Sequence, residues 1–381
     1  MIAWTEDQLR LRDALRRWHE RLSADHIELD RRAVFPDALW RLVCESGLLR
    51  VPFDERWGGL GQDLLTTMSL LEDLGHGCRN GGLIFSICTH LCSTGVPIQR
   101  FGSTALKDRY MAGLCDGATI GAHAITEPGS GSDALSMRTT ARLSADGDGY
   151  VINGSKTFVS NGPVADLFVV YVRTEPKHGA LGVTAFVIER GTPGFSIGRP
   201  IEKMGLRTSP LCELFFDDCR VPKFSVLGGP GLGFSILDHV MKWEILCSFI
   251  VNVGEMRYRF ERCVDYAKTR RQFDRPIGSF QSVANKIVDM LMRLETSRIW
   301  LYQTARRFLN DENVTTDISI AKLLASEGNV ASAMDAVQIF GGNGYMTEFG
   351  LEKDLRNAVA GTIYSGTSEI QRDRIAKMLG L

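Results

Sequence analysis

The strongest constraint on this chain is a double change of periodicity. Apolar residues recur every three or four positions up to about Leu114, then at every second position from about Ala118 to Leu227, and again every three or four beyond Gly233. Helices, strands and helices arranged in blocks do not supply the alternating βαβ units of a doubly wound sheet, which argues against a nicotinamide-type architecture. In the first block, Thr5 and Gln8 have capping-box spacing, and Leu11, Leu15, Trp18 and Leu22 form one inward stripe. Pro36 suits a first helical turn, Gly47 suits a helix stop, and Leu64, Met68, Leu71 and Leu74 make a second stripe ending near Gly75 and Gly77. The expectation is an all-helical domain over 1–117.

Short strand-like runs follow at Tyr150–Asn153, Leu167–Val172, Ala185–Ile188 and Leu214–Phe216, with turn residues at Asp146–Gly149 and Thr192–Gly194. They predict a compact antiparallel domain over 118–227. A glycine-rich linker, Gly228–Gly233, leads to Phe280, Val283, Ile287, Met290, Leu294, Ser297 and Leu301 at helical spacing, so 228–381 reads as a helical bundle.

A chain of 381 residues has room for two or three such domains. Its 44 Lys and Arg against 45 Asp and Glu give no charge surplus for nucleic acid or anionic lipid. The longest uncharged window, Asn80–Gln99, includes His90, Pro97 and several hydroxyls, and predicts a buried helix instead of a membrane span. The opening residues lack the basic start and apolar run of a secretory signal. Nine scattered cysteines without a C-x-x-C pair suit a reducing cytoplasm, and Cys88 and Cys92 read as core residues. Seven histidines without ligand spacing argue against a metal. The run Gly154-Ser155-Lys156-Thr157 imitates a phosphate loop, but its flanks alternate as strands, so it is expected to be a β-turn.

Four segments carry the chemistry. Thr126-Glu127-Pro128-Gly129-Ser130-Gly131-Ser132-Asp133 is a loop of small and hydroxyl residues through which backbone can approach a planar or phosphate-bearing ligand. Phe158-Val159-Ser160-Asn161 follows, then three glycines within Val337–Tyr345, and finally Thr362–Gln371, which reads T-I-Y-S-G-T-S-E-I-Q. In this order the set resembles the acyl-CoA dehydrogenases over the whole chain.

The resemblance implies a multi-domain α+β fold: an N-terminal helical domain, a middle β-barrel domain and a C-terminal four-helix bundle, with FAD between them in a homotetramer. It assigns flavin contacts to Ile125, Thr126, Ser132, Phe158 and Ser160, with Thr367 and Glu369 completing the pattern. Arg270, Gln272, Gln338, Gly341 and Gly342 match residues that reach the diphosphate of a neighbouring subunit's FAD. Glu369 stands where many members have glutamine, and His123 where an aromatic is common.

Many members carry the catalytic glutamate before the Gly-Thr of the last motif, where this chain has Ser365. A serine is no base for a carbon acid at neutral pH without help. Isovaleryl- and long-chain-type members resemble this chain in placing the glutamate on a bundle helix, and counting back from Arg270 puts Glu244 there. It lies in an apolar run that should raise its pKa. The implied reaction removes an α proton from a thioester while a hydride leaves the β carbon for the flavin, with the Ser365 N–H among the donors to the enolate.

Isovaleryl-type members have arginine after this glutamate, whereas here Ile245 follows it and Lys242 precedes it by two. Met241-Lys242-Trp243-Glu244, Cys247, Gly82–Arg100 and Ile363–Gly366 look most like the prolyl-carrier-protein dehydrogenases, with Ser132, Trp243, Ser365 and Gly366 at the substrate. That resemblance implies a phosphopantetheine-bearing peptidyl carrier protein as partner and four-electron oxidation of its prolyl group to pyrrole-2-carboxyl. The alternatives are a branched short-chain acyl-CoA dehydrogenase and a non-catalytic flavin scaffold.

Overall fold

The computed structural model describes residues 4–381. The first block is α1 (Glu6–Arg16), α2 (His19–Leu22), α3 (His26–Arg32), α4 (Asp37–Ser46), α5 (Leu64–Gly77), α6 (Gly81–Cys88), a π-helical stretch Thr89–Gly95, α7 (Val96–Phe101) and α8 (Thr104–Asp116). The caps sit where the side chains can make them. Thr5 and Gln8 form the reciprocal capping box of α1, and Gly47 ends α4 at φ +76°, a left-handed value that glycine adopts without steric cost. The predicted Leu11–Leu22 stripe is split, because the chain breaks between α1 and α2, although Leu15 and Leu22 both reach the core. Gly81–Phe101 is long and apolar enough to cross a bilayer, yet 89% of its apolar window is buried inside the protein. Cys88 and Cys92 within it are core residues.

The middle block is β1 (Gly121–Ala124), β2 (Thr140–Leu143), β3 (Gly149–Ser160), β4 (Leu167–Arg173), β5 (Val183–Glu189), β6 (Phe195–Ile197), β7 (Leu211–Pro222) and β8 (Val226–Leu227). They pair in the order β6-β7-β3-β2-β4-β5-β8, with β1 beside β4. Phe195 of β6 packs its ring 5.0 Å from Phe168 of β4, four strands away in that order, so the sheet curls around its own core.

Two expectations are corrected here. The sheet is mixed and not antiparallel throughout, since β1 runs parallel to β4 with Gly121 opposite Leu167. The cause is burial of β4 on both faces: Leu167, Val169 and Tyr171 join the helical core while Phe168, Val170 and Val172 fill the sheet's interior. The Gly154–Thr157 run is the bulged centre of β3 and not a turn. Gly154 has φ +138°, and a Cβ there would stand 2.7 Å from the Thr139 Cα, so the bulge requires glycine.

The last block is α9 (Gly233–Thr269), a hairpin of β9 (Arg271–Gln272) and β10 (Arg275–Pro276), α10 (Gln281–Leu309), α11 (Thr315–Phe340), α12 (Gly342–Tyr345), α13 (Leu351–Ala360) and α14 (Ser368–Met378). Helix α9 is the axle of the molecule. Its central run Ile245–Val253 is buried in the core shared with α5 and the π stretch, which places residue 244 where all three blocks converge.

Candidate active site

A cleft of about 700 Å³ opens where the three blocks meet. The sheet contributes Ile125, Thr126 and Ser132 from the loop after β1, and Phe158 and Ser160 from the end of β3. Helix α9 contributes Leu237, Met241, Glu244 and Ser248, spaced four, three and four apart and therefore on one face. The turn before α14 closes the third side with Ser365, Gly366 and Thr367. Trp243 does not line the cleft: two residues from Met241 on a helix, it turns away and packs on the hydrophobic core. Glu369 is also outside the lining, exposed in the first turn of α14.

Glu244 is held at both oxygens. The Ser93 hydroxyl donates to Oε2 at 2.7 Å, and the Ser365 hydroxyl donates to Oε1. Burial pushes its carboxyl above the ordinary range, while the hydrogen bonds from Ser365 and Ser93 pull in the opposite direction by favouring the charged form. Ser93 is aimed by the π-helical stretch, a widened turn that presents side chains an α-helix would not. Ser365 lies at φ +55° and Gly366 at φ +88°, so the serine occupies a conformation that costs an L-residue about 1–3 kcal/mol. The Gln371 side chain stabilises this turn, its Nε2 donating to the Ser365 carbonyl at 2.9 Å. Among the described residues nothing accepts from the Ser365 N–H.

The 126–133 loop is welded to β3. The Lys156 ammonium, fully buried, donates to Glu127 Oε1 at 2.7 Å and to the Ile125 carbonyl at 2.9 Å. Glu127 accepts further bonds from the Arg138 and Thr139 amides. Burial lowers the Lys156 pKa to about 8 against the opposing pull of Glu127. Burial also works against the Glu127 charge, but the ammonium and the amides hold its carboxyl below the usual range. Sequence reasoning missed Ser93, Gln371 and the Glu127–Lys156 pair. Glu127 and Lys156 both lay inside motifs that were singled out, but only the fold brings them together.

Models of the acyl-CoA dehydrogenase N-terminal, middle and C-terminal domains match residues 5–118, 122–219 and 231–380. The chain belongs to the acyl-CoA dehydrogenase family. It is similar to the L-prolyl peptidyl-carrier protein dehydrogenase of a Serratia species, 42% identical over 343 residues that cover 90% of this chain and 88% of that one. Among solved structures it is similar to the prolyl acyl carrier protein oxidase AnaB, at 40% identity and a TM-score of 0.96 over all of both chains. It is equally similar in shape to an FAD complex of PigA, at 39% identity and a TM-score of 0.96, covering 100% of this chain and 99% of that one.

In this family member the remaining candidate residues are not brought to the cleft. Arg270 and Gln272 are exposed at the far end of α9, about 39 Å along the helix from Glu244 at 1.5 Å per residue. Gln338, Gly341 and Gly342 are exposed where α11 ends, with open space around both glycines. Ile245, in place of an arginine, is completely buried, and Lys242 is tied to Asp238 at 2.6 Å on the α9 side of the cleft.

Proposed function

We propose that this chain binds FAD in the cleft and oxidises an L-prolyl group, held as a thioester on the phosphopantetheine of a peptidyl carrier protein, to the pyrrole-2-carboxyl thioester. The carrying observation is Glu244, lodged in the cleft wall with one serine on each oxygen and no cation at position 245. The residues present fit a flavin. The cleft is of ligand size, Phe158 offers a 61% exposed ring at φ +55°, and Gly131 leaves room for close backbone approach. His123 Nε2 and Gln371 Oε1 are buried polar atoms with no partner among the described residues, each available to a ligand. Bound FAD would supply the acceptor for the hydride that leaves the β carbon.

The protein's own part is proton chemistry and polarity. Glu244 takes the α proton, and its raised pKa brings it closer to the acidity of the carbon acid it must deprotonate. The free Ser365 N–H donates to the thioester oxygen as charge develops there. Ser93 keeps the carboxylate from swinging away between the two oxidations that a pyrrole requires. An external two-electron acceptor must act between them.

We further propose that the three units 1–117, 118–227 and 228–381 assemble as a homotetramer, in which Arg270, Gln272, Gln338, Gly341 and Gly342 serve a neighbour's FAD. Their exposure far from their own cleft supports this, as does an apolar stripe on α10 with Val288 54%, Met292 62% and Ile299 59% exposed. The deciding assay is mass spectrometry of a proline-loaded carrier protein after incubation with the holoenzyme. Loss of four hydrogens supports the reading; turnover of isovaleryl-CoA with an untouched prolyl carrier establishes the acyl-CoA alternative.

A further inference from the structure

Behind the cleft lies a second cavity of about 20 Å³, room for one water. Phe85, Ser248 and Tyr364 line both cavities and form the partition between them. On the far side stands Glu255, a half-buried carboxylate. Glu244, Ser248, Asn252 and Glu255 are spaced i, i+4, i+8 and i+11 on α9, which at 100° per residue confines them to an arc of about 80°. They form a polar stripe along the centre of α9, where the run Ile245–Gly254 is otherwise apolar and buried, and it starts at the base. Ser248 Oγ and Asn252 Nδ2 are buried atoms without a well-formed hydrogen bond among the described residues, although the Cys88 and Tyr364 side chains stand beside them, and both residues line the small cavity. Two unsatisfied polar groups and a carboxylate around a space of this size are what a bound water requires.

Glu255 is set up to take a proton. Its Oε2 accepts from Asn329 Nδ2 at 3.1 Å on α11. Burial pushes its carboxyl above the usual range; Arg259 and Arg79 oppose this and Asp354 adds to it. Gly81 covers the site so closely that a Cβ there would stand 3.4 Å from Glu255 Oε1.

We propose that Ser248, a water beside Asn252, and Glu255 form a proton path out of the active site, with Glu255 storing the first of the two protons that Glu244 collects. The inference rests on the four-electron reading above. A ring oxidised twice stays in the cleft and blocks the route from Glu244 to bulk water, so the base must be emptied inward before it can act again. In the transfer, the Glu244 carboxyl lets go of one of its serines and turns toward Ser248 one helical turn along α9; its O–H bond then breaks and its proton passes to Ser248 Oγ. The Ser248 hydroxyl proton passes to the water, and a water proton forms the new O–H bond on Glu255. No electrons move. The second proton stays on Glu244, and both leave once the product has gone. An external two-electron acceptor still serves the oxidations.

The test is rapid-quench mass spectrometry of the prolyl carrier with wild-type holoenzyme, Glu255→Gln and Asn252→Leu, alongside flavin bleaching in the first oxidation. Gln keeps an acceptor for Asn329 but takes no proton, and Leu removes the water's amide anchor without touching Glu255. The expected result in both variants is accumulation of carrier lacking two hydrogens, at least about fivefold over wild type, while first-step bleaching stays within about twofold. A carboxylic-acid infrared band that appears on reaction in wild type and is missing in Glu255→Gln is the readout independent of rate. An unchanged ratio of two- to four-hydrogen loss overturns the path, as does parallel slowing of both steps, which marks a structural role. Wild type that removes no hydrogens from the prolyl carrier overturns the prolyl reading itself; wild type that removes four beside unaltered variants overturns only the path.

Discussion

At the scale of single residues, the proposed chemistry falls to Glu244 and its two serines. Glu244→Gln should leave assembled, yellow protein whose flavin is bleached by substrate about 10²–10⁴ times more slowly, measured by anaerobic stopped flow. Ser93 and Ser365 both donate to the charged carboxylate, and removing either donor raises the pKa of the base further. Because the base works deprotonated, Ser93→Ala and Ser365→Ala should each move the acidic limb of the kcat/KM profile to higher pH. A limb that stays in place would show that the hydroxyls do not tune the base. The place of Glu244 in the cleft was legible because the distance to Arg270 is a count along one helix. Ser93 was not, because 151 residues separate it from Glu244 and no local pattern encodes their meeting. Trp243 was misplaced for a plainer reason: neighbours in sequence point about 100° apart on a helix, so a motif read as a string mixes cleft and core.

At the scale of elements, the loop after β1 depends on one buried ion pair. Lys156→Met strands the Glu127 carboxylate inside the protein, and breaking such a pair costs about 3–5 kcal/mol. The expected outcome is a lower melting temperature together with faster FAD loss on dilution, followed by flavin fluorescence. A variant that loses stability but retains FAD as wild type does would separate the pair from the cofactor loop. Block order, most helices and the long strands were readable from periodicity, since burial on one face imposes it. Strand direction was not, because β4 is buried on both faces and its unbroken apolar run carries no sign of a parallel partner. The phosphate-loop imitation misled in the opposite sense: small residues there mark a β-bulge that admits Thr139, so glycine signalled close packing and not a turn.

At the scale of the whole molecule, assembly and acid stability can be tested separately from catalysis. Val288→Glu with Met292→Glu puts charge on the exposed stripe of α10, and light scattering should then report smaller particles that retain FAD poorly. Four histidines are held neutral by burial: His26, His90 and His239 with pKa about 4, and His123 with about 3. The unfolded chain takes up their protons near pH 6.5 and the folded chain does not. Their contribution to stability is therefore complete above pH 6.5 and falls away between there and about pH 4. Melting temperature should drop more steeply from pH 6.5 to 4 than from 8.5 to 6.5. The grip on Glu244 also has a history in time, since it draws on Ser93, translated before it, and on Ser365, 121 residues downstream of Glu244. At about 5–20 residues per second, a ribosome takes roughly 6–24 s to add that stretch. Until that late residue has been made, the second donor to the reactive acid does not exist, so a newborn copy comes alive only after Ser365 arrives.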